Sequence, residues 1–294
     1  MTDQLRIGIL GSRDSWHGQV LLNALQKKKI EPIFADAIQL KVHIGSSPTV
    51  LCGETVFSGL DMVMVREVPG GTLEQVIYRM DVLHQLENMG VRLINPAGAI
   101  EKMVDKYYTS SLLQAAGLRV PPTMVTENYA DAITIFEQLG SDVVVKPLFG
   151  SRGVGMVRVT DADIASRVFK ALHLGGYVFY LQQFIPHNNR DLRVLVSGNQ
   201  CIAAMERVSD NWKTNISLGA KPCAVQVTDE ICDASLKAAH AVGANYCGVD
   251  LLYGEDGSLY VLEVNSMPAW QGLQQVTEFE VAERLVDDFI ELMK

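Results

Sequence analysis

The sequence predicts an α/β protein with α+β subdomains, introduced by a small open α/β domain. Three observations carry that expectation. Residues 5–35 follow a strand, helix, strand pattern; helical and strand periods then alternate through about residue 186; and residues 248–265 hold two apolar runs around a turn. At 294 residues the chain has room for two or three modest domains with a substantial core.

In chain order, residues 5–10 read as a buried strand, residues 11–16 as a polar turn, residues 19–28 as an amphipathic helix and residues 33–35 as a second strand. Residues 61–66 supply another strand and residues 91–95 a further one. Between them, residues 72–89 form a long helix with apolar spacing at Leu73, Val76, Ile77, Met80 and Leu83. Gly8 and Gly11 do not make G-x-G-x-x-G, so no dinucleotide fingerprint is read here. Asn95-Pro96 closes this unit near residue 100. A helix over 100–116 ends at Gly117 and is followed by Pro121-Pro122. Then come a helix over 130–139, a strand over 142–147, a glycine loop, a strand over 156–159, a helix over 161–174 and a strand over 178–184. A second boundary falls near Pro186, so the expected division is 1–100, 101–186 and 187–294. In the last part, residues 192–196 and 200–208 pair as strands around Ser197-Gly198-Asn199, and a helix runs over 230–242. A hairpin and a final amphipathic helix close the chain, with no internal repeat or low-complexity segment.

Composition excludes several function classes. Hydrophobic residues make up 48% and charged residues 20%, as in an ordinary globular protein. With 25 basic against 34 acidic residues the net charge is −9, and no basic block exceeds Lys27-Lys28-Lys29. Sequence-independent binding to nucleic acid or to an anionic membrane is therefore not expected. Those three lysines are expected to complement the carbonyl end of the first helix. The five cysteines, at 52, 201, 223, 232 and 247, show no C-x-x-C pair and no zinc spacing, which points to thiols in a reducing compartment. Residues 1–11 do not read as a signal peptide and no stretch approaches the length of a membrane span, so a cytoplasmic location is expected. Self-association into a homo-oligomer stays open.

The most informative segment is Gly248-Val-Asp-Leu-Leu-Tyr-Gly-Glu-Asp-Gly-Ser-Leu-Tyr-Val-Leu-Glu-Val-Asn265. Asp256-Gly257 suits a two-residue type I′ turn. That register sets Asp250 opposite Glu263 on one face, with Asn265 two residues further along the same face. Two directly opposed carboxylates repel, and a divalent cation with oxygen ligands is the simplest compensation. The alternative is a pair of solvated strand charges, against which the surrounding valines and leucines argue.

A second signal is Val143-Val-Val-Lys-Pro-Leu-Phe-Gly-Ser-Arg-Gly-Val-Gly155, where Lys146 ends a strand and a glycine loop turns back into another. Gly150, Gly153 and Gly155 let backbone N–H groups approach an anion, Ser151 and Arg152 add donors, and Lys146 supplies a point charge. The lysine precedes the loop and no helix follows it, so this is not a Walker-type loop; a plain surface hairpin is the competing reading. Tyr180-Leu-Gln-Gln-Phe-Ile-Pro186 is a strand whose backbone can offer an edge to a purine. In Arg190-Asp-Leu-Arg193, Asp191 and Arg193 alternate onto one face. Trp212-Lys-Thr-Asn215 reads alone as a polar loop.

Taken in order, these segments resemble the ATP-grasp fold, specifically its ribosomal-protein-modification-type (RimK-like) glutamate ligases. The matching motifs are Asp105-Lys106, the stretch from Val145 to Gly155, Gln183-Phe-Ile185, Asp191-Leu-Arg193, Lys213-Thr-Asn215, Gly248-Val-Asp250 and Leu262-Glu-Val-Asn-Ser-x-Pro268. The first domain is also similar to tetrahydromethanopterin glutamate ligases, through Pro69-Gly-Gly-Thr-Leu-Glu-Gln75 and Asn95-Pro-x-x-Ala-Ile-Glu101. The fold this implies is ATP-grasp preceded by a small open α/β domain.

The resemblance implies that Lys106 and Lys146 hold ATP phosphates, with Ser151, Arg152 and Gly153 in the loop over them. It sets Gln183 and Phe184 at the adenine, and Asp191, Lys213, Thr214 and Asn215 in further nucleotide contacts. Asp250, Glu263 and Asn265 are implied ligands of two magnesium or manganese ions, and Arg193 lies near the transferred phosphoryl group. The implied reaction activates a carboxylate as an acyl phosphate and couples it to an amine, releasing ADP; Arg193 and Lys146 carry its catalysis. The expected substrates are L-glutamate and a small carboxylate-bearing acceptor such as a tetrahydromethanopterin-type coenzyme. One departure is Ile216-Ser-Leu-Gly219 where protein-modifying relatives carry His-Arg-Gly after the asparagine, which argues against a protein tail as acceptor. The alternatives are a ligase that modifies a protein C-terminus or joins another amino acid, and a nucleotide-binding regulatory protein without turnover.

Overall fold

The computed structural model describes residues 5–150 and 153–293. Among the described residues, no helix is long and apolar enough to cross a membrane. The chain opens with a parallel sheet in the order Ile33–Ala35, Ile7–Leu10, Met62–Val65, Arg92–Ile94. Its two central strands are buried at every position, which is why they read as unbroken apolar runs. Helices Trp16–Lys27 and Leu73–Asn88 cover it, the first capped by Ser15 and the second by a Thr72/Gln75 capping box. Lys27 and Lys28 form ion pairs with Glu283 and Asp287 of the last helix, a role beyond the expected neutralisation of carbonyls. A small antiparallel sheet of Leu40–His43, Thr49–Cys52 and Thr55–Val56 was not foreseeable, because its short strands carry no sustained alternation.

The helix expected over 100–116 is two helices, Ala97–Val104 and Lys106–Ala115. Asp105 breaks it: its backbone is extended, and its carboxylate accepts from the Tyr108 N–H at 2.9 Å as the cap of the second helix. Asp–Lys at a helix start is a stop as well as a start, and local competition by the aspartate side chain outweighs the continuous apolar period.

A second, antiparallel sheet runs Val157–Val159, Val143–Lys146, Phe179–Gln183, Thr123–Thr126, the last strand again unforeseen. Helices Tyr129–Gln138 and Ala162–Leu174 pack on it through Phe136, Phe169 and Phe179, which meet edge to face. The third sheet has five antiparallel strands, Lys221–Ala224, Gln200–Val208, Arg190–Ser197, Tyr246–Tyr253 and Leu259–Asn265. One face presents Leu192, Val194, Val196, Val249 and Leu251 to helix Asp229–Val242. The opposite face is apolar at one end, where Leu195, Met205 and Tyr246 share a core with Ile9, Met64, Trp270 and Phe289. At its other end that face is charged, and there the cleft begins. All five cysteines are free thiols.

The closing hairpin reaches the expected pairing by an unexpected route. Gly254 N–H bonds to Ser258 O at 2.9 Å and Gly257 N–H to Gly254 O at 2.9 Å, so the turn holds three residues, 255–257. Gly257 alone of the three has positive φ, at 76°, which excludes type I′ and fits a type I turn with a glycine bulge. That turn shifts the ladder by one, pairing Leu251 with Val261. A β-bulge at Leu262 then restores the register, so that Asp250 faces Glu263 and Gly248 faces Asn265.

Candidate active site

A cleft lies between the second and third sheets, with Lys106, Lys146, Lys213, Asp191, Asp250 and Glu263 among its lining residues. Lys146, at the end of its strand, is buried, and its Nζ donates to Gln182 Oε1 at 2.6 Å. Burial pushes its pKa down to about 8, with Glu263 and Asp250 pulling the other way and Lys106 adding to the drop. Lys106, the first residue after the Asp105 break, donates from Nζ to Gly150 O at 2.8 Å, and burial lowers its pKa as well. Lys213 donates to Met156 O at 2.7 Å. Lys106, expected at the phosphates, and Lys213, expected in a further nucleotide contact, therefore rest on carbonyls at the two ends of the glycine loop. Gly153 has φ +71°, and a Cβ there would lie 2.5 Å from Asn215 Oδ1. Only glycine lets the loop and the 213–215 segment approach this closely. Ser151 and Arg152 lie outside the described residues.

The hinge residues line the same cleft. Gln183 and Phe184 spend their N–H groups on Pro122 O and Asp142 O, at 2.8 and 3.0 Å. The Phe184 ring carries the Arg158 guanidinium 3.5 Å above it, itself held in a fork by Asp142. His187 is buried and bridges Ile185 O and Trp212 O at 2.8 and 3.1 Å, tying the hinge to the segment that carries Lys213 and Thr214.

The charged face of the five-stranded sheet forms the floor. Arg193 pairs with Asp250 across neighbouring strands and forks onto it, with Nη2 to Oδ2 at 2.7 Å. Arg207 forks onto Asp191 at 2.7 and 2.5 Å and reaches Asp250 Oδ2 at 3.1 Å. Burial alone would push the Asp250 carboxyl up, but Arg193 and Arg207 outweigh it and hold it down at about 2. For Arg207 the balance is the same in mirror image: burial opposes its charge, and Asp250 and Asp191 hold it on. Two arginines thus neutralise Asp250, a compensation beside the cation that the sequence suggested.

Arg207 escaped the sequence reading for a specific reason. Extending a regular ladder from Ser197 opposite Gln200 would set Glu206 across from Asp191. A bulge at Ile202 moves every later residue on by one and delivers Arg207 there instead. Gln182, Lys146's partner, was within the quoted hinge segment but carried no separate signal.

Glu263 is half-buried and accepts from Asn265 Nδ2 at 3.1 Å. Among the described residues no three His, Cys, Asp or Glu side chains gather to hold a metal by themselves. The donors on offer are the Glu263 carboxylate, whose Oε1 also accepts from Asn265, one remaining lone-pair position on Asp250, and the Asn265 amide oxygen. That hard-oxygen set fits magnesium, which binds through one or two carboxylates and takes its other ligands from phosphate and water. Gly248 makes the floor possible: a Cβ there would stand 2.9 Å from Pro268 Cβ and 3.1 Å from Arg193 Cδ. Gly248→Ala is therefore expected to push Arg193 off Asp250 and to destabilise the protein by about 1–3 kcal/mol. Thermal unfolding checks this, and an unchanged melting temperature contradicts it.

Segment 216–219, where the sequence departs from its resemblance, forms a short 3-10 turn at Ile216–Leu218. Ile216 packs against the core, 3.3 Å from the Cβ position of Gly272, rather than reaching the cleft.

Family models match almost the whole chain: a RimK PreATP-grasp domain over residues 5–100 and a RimK-like ATP-grasp domain over 103–289. A tetrahydromethanopterin:alpha-L-glutamate ligase of Methanococcus maripaludis is 34% identical, with 99% of each chain aligned. An alpha-aminoadipate–LysW ligase, LysX, of Sulfurisphaera tokodaii is 31% identical over 71% of this chain and 75% of its own. In fold the chain is similar to the ATP-grasp ligase PsnB, solved with a minimal precursor, at a TM-score of 0.78, covering 98% of this chain and 99% of that one at 22% identity. PsnB has also been solved with its precursor, Mg and ADP, at a TM-score of 0.75 and 24% identity, covering 98% of both chains. The cleft, its lysines and these matches agree: the chain belongs to the RimK-like ATP-grasp family of ADP-forming carboxylate–amine ligases.

Proposed function

We propose that this ligase adds L-glutamate to a small carboxylate-bearing acceptor of the tetrahydromethanopterin coenzyme class. The observation that carries the reading is the end-to-end match with the tetrahydromethanopterin:alpha-L-glutamate ligase. The segment Ile216-Ser-Leu-Gly219, which lacks the His-Arg of protein-modifying relatives, supports a small acceptor. Residues 1–100 would face the acceptor, while 101–186 and 187–294 close on the nucleotide.

The chemistry follows from the groups in the cleft. An acceptor carboxylate oxygen takes the γ-phosphoryl group of ATP, ADP leaves, and the glutamate amine attacks the acyl phosphate carbon, forming the amide and expelling phosphate. Lys106, Lys146 and Lys213 neutralise the phosphates, and Lys106 and Lys213 exchange their loop carbonyls for phosphate oxygens. With the Gln183 and Phe184 amides engaged, what the hinge offers adenine is its carbonyls and the Ile185 N–H. Asp191 acts through Arg207, and Arg193, fixed by Asp250, faces the oxygen that receives the phosphoryl group. Glu263, Asn265 and Asp250 would hold magnesium, as one or two ions, and the metal when bound would neutralise charge on the phosphate oxygens. The glycine loop keeps water from the acyl phosphate.

Incubation with ATP, magnesium, glutamate and tetrahydromethanopterin-class pterins tests the reading by mass spectrometry. The expected result is a product heavier by one glutamyl residue, with matching ADP. Absence of ADP formation across carboxylates and amino acids would favour a regulatory nucleotide-binding role.

Lys146 gives a pH test. Its ammonium is intact below pH 8, so kcat/KM for ATP is expected to fall as pH rises through about 8. Stability moves oppositely. Between about pH 8 and 10.5 the unfolded chain binds this proton and the folded chain has lost it, so the contribution of Lys146 to stability rises with pH. Lys146→Arg, charged throughout, removes the limb near pH 8. A wild-type profile flat to pH 10 contradicts the assignment.

A further inference from the structure

The Asn95 motif has no part in the chemistry above, yet its side chain makes four hydrogen bonds across a span of about 150 residues. Asn95 is fully buried at the carboxyl end of strand Arg92–Ile94. Its amide donates to Tyr246 O at 2.8 Å and to Ser266 O at 2.7 Å. Its Oδ1 accepts from the N–H groups of Asn245 and Tyr246 at 2.8 and 3.0 Å. Both donors and both lone pairs are used, so the side chain has one orientation. Tyr246 begins one strand of the carboxylate hairpin and Ser266 directly follows the other. One side chain therefore grips both strands at the open end.

A second grip comes from the neighbouring strand. Met64 pairs with Ile94, and Arg66 lies just past the end of Met62–Val65. Its Nη1 donates to Tyr246 Oη at 2.6 Å and its Nη2 to Pro268 O at 3.0 Å, while the guanidinium lies 4.5 Å above the Trp270 ring. From these anchors the path to the site is short. Gly248, two residues past Tyr246, faces Asn265, one residue before Ser266, and Asp250 faces Glu263 two residues further along each strand.

We propose that Asn95 and Arg66 are positioning residues: they register the N-terminal sheet on the hairpin and so set where Asp250 and Glu263 stand beneath the nucleotide. Adhesion does not need them, because Ile9, Met64 and Ile94 already share an apolar core with Tyr246, Trp270 and Phe289. Apolar burial is non-directional and tolerates sliding; six hydrogen bonds to four residues do not. The proposal rests on reading the hairpin as the magnesium and phosphate floor.

The experiment compares Arg66→Lys, Tyr246→Phe and Asn95→Ala with the wild-type protein in three measurements. These are native-state hydrogen exchange, calorimetric affinity for ADP with and without magnesium, and kcat. Arg66→Lys keeps the charge but loses the fork, and Tyr246→Phe removes one hydroxyl while keeping its ring against Phe289. The expected result is faster exchange confined to residues 245–248 and 265–267. Magnesium-dependent ADP affinity and kcat fall by about 10- to 100-fold, as when the supports of metal ligands are removed. Affinity for ADP without metal stays at the wild-type value. A purely structural role would instead raise exchange throughout the chain or leave the magnesium dependence untouched, and either result overturns the proposal. Should Asn95→Ala fail to fold, Arg66→Lys and Tyr246→Phe decide by the same readouts. Glu263→Ala separates the two readings: if it keeps wild-type magnesium-dependent affinity, the metal floor fails, whereas loss there with unaltered Arg66 and Tyr246 variants overturns the positioning role alone.

Discussion

Glu263→Ala is expected to slow ADP formation by on the order of 10²- to 10³-fold, the range for removing one preorganised electrostatic group from a reaction centre. The fold should survive it. Glu263 is only half-buried, and its hydrogen-bond partner is the Asn265 amide two residues along the same strand. Its cross-strand neighbour is Asp250, whose charge is already met by Arg193 and Arg207. Taking away one of two facing carboxylates relieves their repulsion but also removes the attraction of Glu263 for Lys106 and Lys146, so the melting temperature should change little. ADP release together with thermal unfolding checks both halves. Full activity in this variant would sink the metal assignment, and a large fall in melting temperature would recast Glu263 as a structural residue.

Arg207→Met is expected to have the largest effect on stability. It strips Asp191 of both hydrogen bonds in a buried setting and takes one of two arginines from Asp250. Leaving a buried charge without its partner costs about 3–5 kcal/mol. For a chain of this size that lowers the melting temperature by on the order of 10 °C. Asp191→Leu with Arg207→Met removes both partners, and much of the lost stability should return because no unpaired charge remains at that pair. Activity should not return, since Asp250 still lacks one of the groups that hold it ionised and in place. Thermal melts of the single and double variants decide this, and equal melting temperatures for the two would refute the clamp.

Much of the candidate site was legible in local pattern. Lysine at a strand end before a glycine loop, paired apolar runs around Asp-Gly, and alternation of Asp191 with Arg193 each follow from the two-residue period of a strand and from turn chemistry. The broken helix at Asp105 was missed because apolar spacing continues across it, although the aspartate that stops it stands in the quoted Asp105-Lys106 motif. The strands Thr123–Thr126 and Lys221–Ala224 were missed because neither carries a buried stripe of its own.

By itself the sequence determined which residue types meet: strand periodicity, glycines where backbone must approach closely, and the lysines and carboxylates a phosphate site needs. Only the tertiary structure decided which of them face each other. Two β-bulges, at Ile202 and Leu262, each shift a ladder by one residue. The first brings Arg207 rather than Glu206 to Asp191, and the second returns Glu263 to Asp250 after a three-residue turn had displaced it. A one-residue slip reverses every side chain on a strand, and what selects it is the fit of the opposite face against helix Asp229–Val242. That selection lies in the packing of distant residues, and no local pattern carries it.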